Sequence, residues 1–559
     1  MGADREPALG AYAAKRCPRV AHNDHAPTSP PKASIDPAKQ RLIEEGVLFE
    51  RAITDRIEQA FEGSGRTVLD AASKNWEATT DATWEAMRDG IEVIINGRLP
   101  DVDGRRGAPD VLVRIGAGYI PIDIKNHQTL VESKTKSVTV STIADPARRF
   151  AYPLRSDGTS NRRGDCMQLT HYTRMLQRLG CHPGGRADSD PELLFGGIIG
   201  TSDFTAATGD RYGITWYQLA QAREMTYSAS ASAHRRTRTM LDRYDHEFAF
   251  RRKVAAAARR GDEIVKPLGT EECDDCAWNS YCVTVAGPDD ASFAIKTGRL
   301  DMREWKFLYD RGITTVETLA RLDPASIAAD FAEYSTKSKP AERLANATRR
   351  AQMALDGNAF QPVDGWPTIP AADIEADFDI EWDANGRIYQ WGLRVRAGQD
   401  DSTARYETDF VSFDEIDDEA ETALADKFAA RINTLAEAAD AQGKSFTVFH
   451  WHHVELTMTR KFPNVQAALQ NRTFDLCRWY QANFFARDGS SIKIVAALFG
   501  FHWGVEDAGG HNSQAQVATA RGSGPEAQAA CEWLLRYNEA DVAAQAAIRD
   551  GLRHLTADS

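Results

Sequence analysis

Three groups of side chains in this sequence have the types and spacing that chemistry on a phosphodiester or a metal centre requires. The first lies in GAPDVLVRIGAGYIPIDIKNH, where two strand-like runs, VLVRI and YIPIDIK, flank the turn GAG. Side chains alternate faces along a strand, so Asp123 and Lys125 share one face, and Asp110 heads the partner run. Upstream, GVLFE sets Gly46 and Glu50 one helical turn apart; downstream, Gln168 and Tyr172 are spaced i, i+4 on one helix face. Carboxylates so grouped hold a divalent ion that activates water and offsets phosphate charge, while a lysine orients the nucleophile. Oxygen ligands suit magnesium or manganese.

The second group is ECDDCAWNSYC, which places Cys273, Cys276 and Cys282 in a C-x-x-C-x-x-x-x-x-C array. Three thiolates are one short of a closed shell around a soft metal centre. Cys17, in AKRCPRVAHND, is the expected fourth ligand and Cys166 its rival; spacing alone leaves zinc and an iron–sulfur cluster both open. Cys181, Cys477 and Cys531 lack cluster spacing. The third group is C-terminal. FDIEWD puts Asp379 and Glu381 on one strand face, Glu455 ends HWHHVE after the strand SFTVF, and LLRYNEADVAA sets Tyr537 one helical turn before Asp541. Such acids can bridge two metal ions, with the tyrosine orienting the attacking water.

These groups need elements to hold them. The run AKQRLIEEGVLFERAITDRIEQAF has helical apolar spacing, and DCMQLTHYTRMLQRLG predicts a helix closed by Gly180. LLFGGIIGT and YGITWYQL predict strands; ADFDIEWD and RIYQWGLRV predict neighbouring strands. Residues 23–38 are turn-rich. Residues 132–165 show no clean period and predict a long insertion or mobile loop. Residues 234–260 are dense in arginine and predict a helix, either a solvated face or a phosphate-facing one. Residues 291–360 look all-helical, with a hairpin-like bend at Gly312 and Ile313.

At 559 residues, 42% of them hydrophobic, the chain has material for two or three domains. A formal charge of −14 excludes a generally basic DNA-coating protein, but not a local basic path for phosphates. Eight cysteines are too few for a disulfide scaffold of this length. The first 30 residues have no signal-peptide pattern and no run approaches a membrane span, so the expectation is cytoplasmic with no membrane partner.

The ordered series Glu50, Pro109-Asp110, Asp123-Ile124-Lys125, Gln168-x-x-x-Tyr172 resembles the RecB-like branch of the PD-(D/E)XK nucleases. The resemblance implies Glu50, Asp110 and Asp123 as metal ligands, Lys125 as the catalytic lysine, and Gln168 and Tyr172 as residues that place DNA or the metal shell. One cysteine before this core and three after it resemble the 4Fe–4S staple of such nucleases, which implies Cys17, Cys273, Cys276 and Cys282 as ligands. The C-terminal acids, with FDLCRWYQANF and SSIKIVAALFGFHW between them, resemble the DEDD exonucleases of RNase H-like fold in their tyrosine variant. Asp379, Glu381, Glu455 and Asp541 would then be metal ligands and Tyr537 catalytic, although His452 and His453 stand where an asparagine is usual.

The expected architecture is α/β: a restriction-endonuclease-like domain over 1–285, a helical connector over 286–365 and an RNase H-like domain over 366–559. As a whole the chain resembles a group of bacterial RecB-like nucleases. The expected function is a magnesium- or manganese-dependent DNA exonuclease or flap-type nuclease in repair, recombination or nucleic-acid processing, with RNA as a possible second substrate. The alternatives are a non-catalytic, cluster-bearing DNA-binding adaptor and a 3′→5′ exonuclease using only the C-terminal acids. No Walker A pattern is visible, so a helicase motor would be a separate partner.

Overall fold

In the computed structural model, which describes residues 7–557 apart from 36, 74, 189, 232–233, 384 and 507–508, the chain divides into two compact units. One comprises Met1–Ala294, Arg299–Thr315 and Asp323–Ala345; the other comprises Ile295–Gly298, Val316–Leu322 and Asn346–Ser559. The division runs through the stretch expected to be a connector. Its helices Met302–Tyr309, Val316–Ala320, Pro324–Tyr334 and Pro340–Leu355 are apportioned between the two units.

In the first unit, α1 (Pro18–His25) starts directly after Cys17, with proline at its first position. The turn-rich run 23–38 then leads, through position 36 outside the described residues, into α2 (Pro37–Phe61). Ile53, Ile57 and Phe61 recur every four residues on α2, and this stripe is buried with Val93, Val111 and Ile122. The chain continues through β1 (Val68–Asp70), α3 (Trp76–Asp89), β2 (Val93–Ile95), β3 (Val111–Ile115) and β4 (Gly118–Ile124). It then forms β5 (Val131–Thr142), β6 (Phe150–Ser156), α4 (Arg162–Leu179), β7 (Phe195–Ile199), β8 (Gly213–Gln218) and α5 (Met240–Arg259).

Eight strands make one sheet in the order β1-β2-β3-β4-β7-β8-β5-β6. β2, β3 and β4 are successive antiparallel neighbours, and β7 returns parallel to β4 after the crossover helix α4. β4 is buried at every position, which is why YIPIDI reads as a nearly continuous apolar run. Gly180 closes α4 with a left-handed φ of 76°, its N–H bonded to the Gln177 carbonyl.

Two expectations are corrected here. Residues 132–165 are not a loop: β5 and β6 pair antiparallel and extend the sheet. Burial on β5 is confined to Val138, Val140 and Ser141 near its end, while residues 134–137 are exposed on both faces, so no period of two shows. The arginine run is not wholly helical either. Arg235–Arg238 is a strand paired with Glu224–Tyr227, and helix α5 begins only where Thr239 and Asp242 form a reciprocal cap.

The second unit is built on β9 (Ile374–Trp382), β10 (Ile388–Ala397), β11 (Asp400–Glu407), α6 (Asp418–Ala441), β12 (Phe446–His450), β13 (Thr473–Asp475), α7 (Ile492–Leu498) and α8 (Pro525–Ala557). The sheet order is β11-β10-β9-β12-β13. The first three strands are antiparallel, and β12 and β13 are parallel to β9. Asp417 caps α6 by accepting the Ala420 N–H at 2.8 Å. Phe428 of α6 packs on Phe378 and Trp391 at ring separations of 4.8 and 5.1 Å, the centre of this unit's core. On α8, Ala530 and Leu534 join that core, and Gln545 donates to the Phe378 carbonyl at 3.0 Å. Among the described residues, no helix is long and apolar enough to cross a membrane.

Candidate functional site

The C-terminal carboxylates converge. Period-two alternation on β9 puts Asp379 and Glu381 on one face, and α8 brings Asp541 against them. Among the described residues, these three are the group whose ligand oxygens all lie within 4.8 Å of one another. Each has a neutral donor that fixes its rotamer. Asn538 Nδ2 donates to Asp379 at 2.8 Å, Ser513 Oγ to Glu381 at 2.8 Å, and Trp503 Nε1 to Asp541 at 2.7 Å. Asn538 reaches Asp379 because Gly392 is the cross-strand neighbour of Asp379; a Cβ there would sit 1.9 Å from Asn538 Oδ1.

Crowding buried acids raises their protonation range. Burial, then Asp541 and Glu381, push Asp379 well above the usual carboxylate range. Burial and Asp541 raise Glu381 to about 8, and burial raises Asp541 to about 6 against Trp503 and Lys493. Tyr537, 5% exposed, stacks on Trp533 at 4.9 Å one helical turn before Asp541; burial and that acid hold its hydroxyl protonated. Glu455 stands outside the converged group. It lies beside His450, with 3.8 Å between Oε2 and Nδ1, and burial lifts it to about 8. Its charge nevertheless contributes to the rise at Asp379.

The first-unit residues gather differently. Asp123 is fully buried on β4, with Lys125 Nζ 2.7 Å from its Oδ2 and no hydrogen-bond partner for its Oδ1. Asp110, just before β3, accepts the Ile124 N–H at 2.6 Å. Burial and the Asp123 charge push Asp110 well above its ordinary range, with Lys125 opposing. Glu50, from α2, is raised by burial against the pull of Lys125. Burial works against the Lys125 ammonium, but Asp123 and Asp110 outweigh it and hold it charged. On α4, Gln168 and Tyr172 are both buried, and Nε2 of the one donates to the hydroxyl of the other at 3.1 Å.

The thiols of Cys17, Cys273, Cys276 and Cys282 line one small pocket, together with Arg19, Asn23 and Leu268. Cys166 does not line it; its side chain lies in the core beside Met167 and Tyr244. Thr270 N–H points at the Cys273 sulfur at 3.4 Å, and Asn23 Nδ2 lies 4.0 Å from that of Cys282. Burial raises Cys17 to about 12.

Several neighbours of these groups carry no motif of their own. Lys15 sits 3.4 Å from Gln168 Oε1, and burial and then Lys125 lower it to about 8. Nothing local marks it, because it reaches the site from 110 positions before Lys125. Asp165 and His127 pair at 3.3 Å, and each has a signal in its spacing: one precedes Gln168 by three on the same helix, the other follows Lys125 by two. In the second unit, Lys493 lies 5.3 Å from the Tyr537 ring centre, inside the SSIKIVAALFG segment.

Residues 373–553 match the family model of the RNase_H superfamily, and this stretch is an RNase H-like α/β domain. A domain of this class supports a nuclease, that is, a metal-dependent hydrolase of phosphodiester bonds, and with it a nucleic-acid substrate. No curated protein and no solved structure gives a significant match to the chain.

Proposed function

We propose that the protein is a DNA nuclease with two metal-dependent phosphodiesterase sites, acting on ends or single strands during repair, recombination or nucleic-acid processing. The observation that carries this reading is the convergence of Asp379, Glu381 and Asp541 on an RNase H-like sheet. Three carboxylates facing one another in a largely buried site fit a hard divalent cation. They would hold magnesium or manganese, which when bound polarises the phosphate and an attacking water. Asn538, Ser513 and Trp503 keep the carboxylates in register, and the protonated Tyr537 hydroxyl is placed to orient water beside Asp541. Glu455 supplies further negative charge from beyond this trio.

In the first unit, the antiparallel trio β2, β3 and β4, the crossover helix α4 and the parallel β7 support the RecB-like PD-(D/E)XK reading. Glu50, Asp110 and Asp123 would hold the cation there, and the partnerless Asp123 oxygen fits a ligand role. Lys125 is held charged beside the site of attack, and Gln168 and Tyr172 brace one another below it.

We read the cysteine pocket as the seat of a 4Fe–4S cluster, a reading supported by the resemblance and by four cysteines lining one cavity, with zinc as the alternative. Cys17, Cys273, Cys276 and Cys282 would hold it and tie the segment before α1 to the chain after α5.

The test gives the anaerobically purified protein end-labelled single-stranded DNA, duplex DNA and RNA with magnesium or manganese, beside Lys125→Ala and Asp541→Ala. Partial loss of cleavage in each variant is expected. Loss in one variant alone assigns the chemistry to that site, and binding without cleavage by the unmodified protein overturns the reading in favour of an adaptor. A colourless preparation carrying zinc, or unchanged iron in Cys17→Ala, overturns the cluster assignment.

A further inference from the structure

We propose that the cleft beside Glu50 and Asp110 is a subsite for single-stranded nucleic acid, in which one base stacks on the indole of Trp76. The proposal deepens, and rests on, the reading of that site as a phosphodiesterase. The cleft measures about 370 Å³ and runs from Glu50 and Asp110 to Trp76, past Ser73, Asn75 and Asn96. Apart from the two acids, its described lining is uncharged.

Trp76 is 67% exposed, although an indole buries more apolar area than almost any other side chain. It is nonetheless held in place. It opens α3, where Asn75 caps the helix by accepting the Ala78 N–H at 2.9 Å. The Arg98 guanidinium lies 4.7 Å from its ring centre and donates to the Trp76 carbonyl and to Thr80 Oγ1, at 3.2 and 3.0 Å. Asp101 holds the far side of that guanidinium at 3.3 Å. The guanidinium lies over one indole face, and the side chain, lining the cleft, remains largely exposed.

The floor between the indole and the acids is equally set. Asn96 adopts a left-handed φ of 53°, a conformation that costs a non-glycine residue free energy. Its N–H donates to the Asp110 carbonyl at 2.8 Å, and its side chain donates to Asp70 at 3.0 Å. Amides and hydroxyls along such a wall suit base edges and sugar hydroxyls, and a rigid open π-face suits a base of any sequence. A base in duplex already has both faces stacked, so the platform selects strands whose bases are free.

The test measures binding without turnover, in the full-length protein carrying both Lys125→Ala and Asp541→Ala. The probes are a labelled single strand, the same strand carrying an abasic nucleotide at successive positions, and its blunt duplex. Trp76→Ala is expected to raise Kd for the single strand roughly ten-fold, with Trp76→Phe restoring most of the loss. At one position the abasic nucleotide should cost the Trp76 protein as much, and cost the Trp76→Ala protein nothing. Duplex affinity should hardly change. Equal Kd with and without the indole, abasic and Trp76→Ala penalties that simply add, or an equal loss on duplex overturns the subsite. Cleavage by the Asp541→Ala protein, in which Lys125 is intact, is read separately. Absent cleavage with the abasic coupling intact overturns the phosphodiesterase reading and leaves the stacking; cleavage without coupling overturns the stacking alone.

Discussion

Four acids follow one another on one face of strand β9, and the protein treats the first two unlike the last two. Glu375 and Asp377 are fully buried and met by arginines. Arg396 lies 2.6 Å and Arg549 3.1 Å from Glu375, and Arg549 is 2.5 Å from Asp377. The Glu375 carboxyl consequently sits below its ordinary range, the arginines outweighing burial, whereas burial still raises Asp377. Two and four residues on, Asp379 and Glu381 accept side-chain hydrogen bonds, among the described residues, from an amide and a hydroxyl, and Asp541 adds a third negative group. The same side-chain chemistry at the same periodicity is thus structural where arginines pair with it, and a candidate cation site where three acids crowd together with Lys493 offsetting part of their charge. The first unit lies between these extremes, since Asp123 has one ammonium against it and one bare oxygen.

Substitution separates the two pairs most sharply. Asp379→Asn should cut cleavage from the C-terminal site about a hundred-fold or more, measured in a Lys125→Ala background, with thermal stability held or raised. Arg549→Met should do the reverse. It removes the closest cation from buried Asp377 and one of three from Glu375, and should destabilise the unit by about 3–5 kcal/mol in denaturant titrations, without touching Asp379, Glu381 or Asp541. Similar loss of stability in both variants would erase the distinction.

Manganese should sharpen it further. Saturating metal at about a hundred times its Kd should stabilise the unit by about 2.7 kcal/mol, seen as a raised Tm, and Asp379→Asn should abolish that shift. A smaller effect comes from pH. Glu381 titrates near 8 when folded, well above an unfolded glutamate, so the folded chain keeps a proton that the unfolded chain has lost. Stability of the chelator-treated protein should therefore fall as pH rises from 6 to 8, by up to about 1.4 kcal/mol per unit for this group. Glu381→Gln should flatten that slope. Glu375 runs the other way: its folded range is depressed, so its contribution is present above the unfolded value and is lost only in acid.

Part of this site chemistry is legible in the sequence. The period of two that pairs Asp379 with Glu381 and Asp123 with Lys125, and the i, i+4 spacings of Gln168 with Tyr172 and Tyr537 with Asp541, are local backbone geometry. The main helices and strands around them are legible for the same reason. Residues 132–165 read as a loop because a strand exposed on both faces has no periodic signal to give. Lys15 and Ser513 carry no signal of their roles because each reaches its site from a distant segment; Lys493 and Trp503 lie in the flagged run SSIKIVAALFGFHW, but nothing local marks them individually.

Sequence by itself determined which residues share a face, since a strand or helix imposes its repeat on any side chains placed in it. Only the tertiary structure decided which face meets which. It brought Asp541 across to Asp379, closed Cys17 onto the three later cysteines and set Arg549 against Glu375 and Asp377 rather than two positions further along. Charge compensation in a buried site depends on distances of a few ångströms between segments far apart in the chain, and no local repeat encodes those distances.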